Sequence, residues 1–581
     1  MPNEHEIKSE KILVKDIFSR MWFRIPEYQR PYIWGKDEIS ELLGDLTFAL
    51  TEKPEQEYFL GSFVFQLKRA NGSREQEFDE NDLLDGQQRI TTLLMLFACM
   101  RDLATDPDAK TDCHNCIYQQ GSTYRQVPER NRLTFAIREE VRRFVDEFIK
   151  TPKGTDREAD LEKIALGSED KGLQNMARAI LEIRKFFKDP ECPVAPEQLL
   201  QFLLNKVLFI YVATQDLDDA FRLFTILNDR GVPLRNSDIL KSLNLGALDS
   251  DADKVRYAKL WEEAESELGD DFDRFLNYLR TILVKEKARL NLLQEFEQKI
   301  YDPKEREKAT GQKKPALLKK GKETFQLIER YLRHYNTLLG GANYDETGGS
   351  FQFDNLMKVM LTGLPSTDWL PPLLCYFDRF KHDRLLEFLT KLDNKFSADW
   401  IAQYTPTDRI ENMSRVIRVI EAARSPADVL GDSCFALDVD SFLRNAEASV
   451  YGRRFTRYLL LKLDYLYQNH SHRISLESLS VEHILPQNPS DDSQWKKDFT
   501  DEERELWTDR LGNLVLITGK KNTSQGNSDY ELKLKKYFTS KIDTCPNSLR
   551  VLRNTKWTPK ELSENHTEVL TKLKQHYGIP V

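Results

Sequence analysis

Apolar and polar positions alternate in short stretches near the start of the chain, then settle into helical spacing for most of its length. Residues 12–17 and 58–67 read as strands, and 39–50 carries apolar residues at helical intervals. LLDGQQR at 83–89 leads into the apolar run ITTLLMLFACM, which reads as a buried helix opened by the Asp-Gly turn. Residues 106–130 are polar and turn-rich and read as a loop, and helical patterns dominate 138–204. VLFIYVAT at 207–214 is the clearest buried strand. It leads into a helix, an Asn-Asp-Arg-Gly turn and a second helix opened by Ser237 or Asp238 as N-cap. From 251 to 424 the pattern is almost wholly helical, with loops near 302–321 and at the glycine pairs 340–341 and 348–349. No repeat of the solenoid kind is present. A last segment begins after Pro426, with a long helix near 453–467.

That last segment holds three pieces in close order: Ser480-Val481-Glu482-His483-Ile484-Leu485-Pro486, then LGNLVLIT at 511–518, then Lys521-Asn522-Thr523-Ser524 running into the helix DYELKLKKYF. The pattern is strand or turn with a histidine, strand, and helix with an asparagine at its mouth, a β–β–α unit able to hold one metal ion. Phosphodiester hydrolysis needs a base that is neutral near pH 7, which His483 can be. It also needs a cation to neutralise charge on the phosphate. Mg²⁺ prefers hard oxygens, and Glu482 and Asn522 can supply them, while Asn513 can hold the histidine ring or its loop in place. A Glu-His in a loop is more often surface decoration, and an asparagine after a strand a turn former. The three pieces together, in order, raise the nuclease reading above that.

A second constellation lies near the start. Asp85-Gly86-Gln87-Gln88-Arg89 sits where a strand enters a helix, a setting whose free N–H groups and dipole favour an anion. Gly86 permits close approach of a phosphate, and Arg89 can bind its oxygens in bidentate fashion. No GxxxxGK[ST] P-loop occurs in the chain. The bland alternative is an ordinary helix start. Upstream, IPEYQRPYIW at 25–34 packs aromatics, an arginine and a glutamine around two prolines. Such a loop can stack on bases, or can serve as a hydrophobic clasp, which its residues favour slightly.

Both constellations resemble one family. EHI-x-P, LGNL-x-L and the following Asn522 are similar to the HNH, or His-Me finger, nucleases, and in particular to the C-terminal domain of GmrSD-type modification-dependent restriction enzymes. IPEYQRPYIW, YFLGSFVF, LLDGQQRITTL and FRLFTILNDRGVPLRNSDILKS resemble, in order, the N-terminal domain of the same family, which looks like the ParB and sulfiredoxin fold. The resemblance implies a multidomain α+β protein. Residues 1–248 would form a ParB-like nucleotide-binding and DNA-sensing domain with a helical insertion, 249–425 a helical connector, and 426–581 the HNH nuclease domain. It implies His483 as general base, Glu482 and Asn522 as metal residues, and Asp85 to Arg89 as the nucleotide site with Asn228, Arg230 and Lys241 near the same pocket. It gives Tyr28, Gln29 and Arg30 a DNA-sensing or pocket role. The implied cofactors are Mg²⁺ or another divalent cation and an NTP, GTP first. The implied substrate is modified phage DNA. The third HNH letter is an asparagine in this chain.

Composition changes this picture in one respect. The 581 residues carry a formal net charge of −9, so DNA contact requires a local basic face. Candidates are the segment from Lys304 to Lys322, the pairs Lys496-Lys497 and Lys520-Lys521, and above all Lys533, Lys535 and Lys536 on the helix after Asn522. No run of 18 or more apolar residues appears, and the charged start lacks a signal-peptide core. Seven scattered cysteines fit reduced thiols and a cytoplasmic protein. The Cys113-His114-Asn115-Cys116 cluster lacks the second pair a zinc knuckle wants. A homodimer is compatible with the sequence. Two other functions fit: a phosphorothioate-sensing GTPase and DNA nickase of a sulfur-modification system, and a non-catalytic DNA-binding regulator with a degenerate nuclease fold.

Overall fold

The computed structural model describes residues 8–26, 29, 31–71, 77–122, 124, 128–136, 139–214, 235–306, 312–339, 351–474, 476, 479–518, 527–539 and 545–581. The chain is a mixed α/β protein that packs into two compact units. One comprises residues 1–267 with 320–322, the other 268–319 with 323–581. Among the described residues no helix is long and apolar enough to cross a membrane.

The first unit is built on a six-stranded sheet of β1 (Lys8–Leu13), β2 (Phe23–Ile25), β3 (Tyr58–Gln66), β4 (Asn81–Asp85), β5 (Leu133–Phe135) and β6 (Val207–Thr214). Its order is β1-β6-β3-β4-β2-β5. The expected strand at 207–214 is β6, which pairs β3 in parallel and β1 antiparallel. Its near-continuous apolar run reflects burial of every residue but Ile210. Phe23, Phe63, Phe65, Phe209 and Tyr211 pack ring against ring on the sheet. Arg24 on β2 grips the fully buried Asp82 on β4 in a bidentate pair at 2.6 and 2.9 Å. The helix after DGQQR, α1 (Gln87–Leu103), is buried along most of its length.

Two local expectations fail for identifiable reasons. Residues 12–17 are not one strand: β1 ends at Leu13 and a helix runs Val14–Arg20. Val14, Ile17 and Phe18 fall at helical spacing and bury together. Residues 106–130 are not all loop: helix α2 spans Pro107–Ile117, with Asp106 capping the Ala109 N–H and Pro107 in the first turn. Helix α3 (Asn236–Gly246) begins beside Arg235, whose N–H donates to Asp238 Oδ2 at 2.8 Å. The Asn-Asp-Arg-Gly turn lies outside the described residues.

In the second unit, helices from the middle of the chain and from its end share one core. Helix α4 (Gln352–Gly363) packs on α5 (Leu385–Ile401), which carries Asp393, ion-paired with Lys462 on α6 (Thr456–Tyr467), both fully buried. Tyr458 donates to the same carboxylate at 2.7 Å. Ser397 is hydrogen-bonded to Tyr577, on the last helix (Pro559–Tyr577), at 2.7 Å. A buried pair of this kind is costly to break because either partner left behind is an uncompensated charge. Also on α6, Asp464 accepts the Asn547 N–H at 2.8 Å, at the start of a short helix, Pro546–Val551. Burial pushes the Asp464 carboxyl up to about 7 against this hydrogen bond.

The Asp464 carboxyl therefore makes stability depend on pH. Between the ordinary carboxyl range and pH 7 the folded chain holds a proton that the unfolded chain has released. Stability is therefore greatest at the acid end and falls as pH rises to about 7, by up to about 1.4 kcal/mol per pH unit. Asp464→Asn keeps the acceptor and removes the titration. Denaturant unfolding of this variant across that range is expected to show a shallower pH dependence and higher stability above pH 7. An unchanged slope contradicts the assignment.

Candidate functional site

In the first unit, the strand-to-helix turn forms as expected. β4 ends at Asp85, Gly86 adopts φ +83°, and α1 starts at Gln87 without a side-chain cap. A Cβ on Gly86 would stand 2.5 Å from the Phe63 Cβ, so the turn requires glycine twice over, for conformation and for space. The half-buried Arg89 guanidinium packs over Gly61. Burial pushes the Asp85 carboxyl upward, opposed by the Gly86 N–H and by the nearby Arg89 charge.

Gln29 and Gln88 join the two N-terminal motifs. Gln88 accepts from the Ile33 N–H at 2.9 Å and donates to the Pro31 carbonyl at 3.2 Å. Gln29, 5% exposed, donates to the Leu84 carbonyl at 2.8 Å. Tyr32 bonds Thr92 at 2.7 Å. Each motif therefore braces the other, and Gln29 and Gln88 are spent on that clasp. Gln87 is partly exposed and lines a small cleft with Ile25, Tyr32, Thr91, Phe135 and Met176. Lys241 is buried on α3 with its ammonium 3.2 Å from Glu262. Tyr28, Arg30, Asn228 and Arg230 lie outside the described residues.

In the second unit, β7 (Leu479–His483) pairs antiparallel with β8 (Leu514–Thr518), placing His483 opposite Leu514. Helix α7 (Tyr530–Thr539) follows. Past His483 the chain is fixed by the fully buried Asn513. Its Oδ1 accepts the Leu485 N–H at 2.8 Å, its Nδ2 donates to the carbonyls of Leu485 and Thr508, and its own carbonyl accepts the Ile484 N–H. Asn513 thus holds the loop and not the ring. Gly512 lets this latch approach the last helix: a Cβ there would sit 2.6 Å from the His566 Cα.

The ring itself is held by a residue the sequence reading missed. His483 Nε2 lies 3.0 Å from Asp509 Oδ1, which also accepts from Gln487 Nε2 at 3.1 Å. Tyr451 meets the His483 ring edge-on, with centroids 4.2 Å apart. The side chain of His483 is 11% exposed. Burial depresses its pKa below the ordinary imidazole range and outweighs Asp509, which acts the other way. Asp509 stands two residues before the Leu-Gly-Asn piece, and its proximity to that piece is the signal that was available.

Two family models match the chain. The GmrSD restriction endonuclease N-terminal domain covers residues 12–245, and the C-terminal domain of GmrSD restriction endonucleases covers residues 437–573. The chain belongs to the GmrSD restriction endonuclease family. No curated protein matches it. The N-terminal GmrSD match spans the DGQQR turn, and the C-terminal GmrSD match spans His483, Asp509 and Asn513.

One expected site residue in this GmrSD C-terminal region faces the wrong way for its role. Lys533 was expected on DNA phosphate. Its ammonium instead donates to Glu482 Oε1 at 2.7 Å and to the carbonyls of His483 and Ile484 at 2.6 and 3.1 Å. Helical spacing explains it: Lys533 shares the inward face of α7 with Tyr530 and Leu534, while Lys535 is exposed. The side chain of Lys536 lies outside the described residues, as does Asn522. Burial pushes Glu482 up and Lys533 down, and their attraction opposes both shifts. Among the described residues no group of three or more His, Cys, Asp or Glu side chains is arranged to hold a metal. The donors beside His483 are hard oxygens, Glu482 and Asp509, which suits Mg²⁺ by chemistry, with Glu482 shared with the Lys533 ammonium.

Lys533→Ala strands the buried Glu482 carboxylate and is expected to cost about 3–5 kcal/mol. Lys535→Ala, at an exposed position, is expected to stay within about 0.5 kcal/mol. Denaturant unfolding of the two variants checks this, and equal losses would show that Lys533 is a surface residue.

Proposed function

We propose that this chain is a type IV restriction endonuclease that hydrolyses modified DNA with His483 as general base, under the control of a nucleotide bound at residues 85–89. The observation that carries this reading is the hydrogen bond between His483 and Asp509 on a buried imidazole. The carboxylate oxygen accepts the Nε2–H, which leaves the lone pair on Nδ1. Depression of the pKa keeps that ring neutral near pH 7, the form a base requires.

In this reading Nδ1 takes a proton from water, the water oxygen forms a bond to phosphorus, and the bond to the leaving sugar oxygen breaks. Asp509 stabilises the imidazolium that results. Glu482 and Asn522 would hold the divalent cation. When bound, that cation neutralises charge on the phosphate and the leaving oxygen. Lys533 fixes the Glu482 carboxylate and the backbone of His483 at the end of β7. Strands β7 and β8 with α7 would then form the ββα metal-binding unit of HNH nucleases, and the six-stranded sheet the ParB-like module.

For the nucleotide, the uncapped start of α1 offers N–H groups at Gln87 and Gln88, and Arg89 offers a guanidinium beside them. Together they suit the phosphates of an NTP, GTP first. Gln88 and Gln29 contribute by holding the 31–34 segment against that turn.

The test is digestion of modified and unmodified phage DNA with Mg²⁺, with and without each NTP. Wild type is expected to cut modified DNA in an NTP-dependent manner. His483→Ala should cut no DNA while still hydrolysing NTP, and Arg89→Ala should release no phosphate at saturating NTP. Cleavage by His483→Ala at the wild-type rate would place the active site elsewhere.

A further inference from the structure

With Lys533 turned inward, Lys535 is left exposed on α7, and further cations at this site can come from a second element. The turn leading into α6, Tyr451-Gly452-Arg453-Arg454, is positioned to supply them. It hangs on the residue that holds the catalytic histidine: the N–H groups of Val450 and Tyr451 both donate to the Asp509 carbonyl, at 2.9 and 3.1 Å. Ser449 forms a bridge with Arg510 alongside. Gly452, at φ +78°, reverses the chain, and Thr456 Oγ1 fastens the turn by donating to the Arg453 carbonyl at 2.8 Å. Arg457, on the first turn of α6, donates to the carbonyl of Leu479, where β7 begins. The turn is thus tied to both ends of the strand–loop frame that presents His483.

Its side chains divide into two roles. The Tyr451 ring lies edge-on to the His483 ring and remains 41% exposed. Arg453 and Arg454 are both exposed, and among the described residues neither has a carboxylate within 4.0 Å. Two adjacent guanidiniums without such a partner, on a chain of net charge −9, form a local cationic point where one is needed.

We propose that the Tyr451–Arg454 turn is the DNA-backbone clamp of the nuclease site, with Arg453 and Arg454 binding phosphates that flank the one presented to His483, and Tyr451 positioning the histidine ring against the strand. This rests on the nuclease reading above. Guanidinium–phosphate contacts fix the register of a duplex and carry no information about base or modification. The clamp therefore grips modified and unmodified DNA alike, and discrimination belongs to another part of the chain.

The experiment uses the full chain with His483→Ala, so that DNA is bound and not cut, and short linear unmodified duplex DNA as the probe. Affinity is measured over a salt series for this parent, for the added R453A/R454A pair, and for R453E/R454E. Each phosphate contact contributes about 0.9 to the log–log salt slope, so the alanine pair is expected to flatten it by up to about 2 units, and the glutamate pair to bind more weakly still at low salt. A slope equal to that of the parent, with an unchanged unfolding midpoint, overturns the clamp. For Tyr451, cleavage at saturating DNA by the otherwise wild-type chain should survive Y451F and fall in Y451A with DNA affinity unchanged. Equal rates for the two remove its positioning role. If wild type cuts DNA and His483→Ala does not, an unaltered slope sinks the clamp by itself. If wild type cuts nothing, the nuclease reading fails and the clamp fails with it.

Discussion

The buried ammonium of Lys533 is the contact on which the C-terminal site is built. It joins α7 to the end of β7 by three hydrogen bonds, one to the Glu482 carboxylate and two to the carbonyls of His483 and Ile484. An unpaired charge at that depth would be expensive, so the helix and the strand must arrive together. Once they do, the carbonyls of His483 and Ile484 are held. Asn513 completes the frame, its carbonyl taking the Ile484 N–H and its side-chain amide taking Leu485, and Gly512 lets the last helix close against it.

Within that frame Asp509 has two tasks. Its carboxylate binds the ring of His483, and its carbonyl carries the turn at 450–451. The orientation of the His483 ring and the placement of the arginine-bearing turn are therefore coupled through one residue. The N-terminal unit uses polar side chains in a comparable way. Gln29 and Gln88 cross-brace the proline-rich segment and the strand-to-helix turn, while Gln87 and Arg89 stay partly exposed at a helix start without a side-chain cap.

Much of this was legible in the sequence because it rests on local rules. The run at 207–214 could hardly be other than a buried strand, and a glycine between an aspartate and a long apolar helix signals a tight turn. The pairing of the Glu-His and Leu-Gly-Asn pieces followed from their strand-like patterns. What escaped was whatever depended on contacts distant in sequence. Asp509 comes to His483 by folding across 26 positions, with no spacing rule to announce it. The inward turn of Lys533 was in principle readable from its helical phase with Tyr530, but a lysine beside two others suggested a solvated face. The helix at 107–117 was hidden by a polar composition that its Asp-Pro cap outweighed.

If the chain cuts DNA as proposed, Asp509 must act through His483. The most direct measurement is the cleavage rate of Asp509→Ala at saturating modified DNA with Mg²⁺, alongside its DNA affinity. Loss of the orienting carboxylate is expected to slow cleavage by about a hundredfold or more, in the range that general-base assistance supplies, while affinity is retained. Cleavage at the wild-type rate would contradict it.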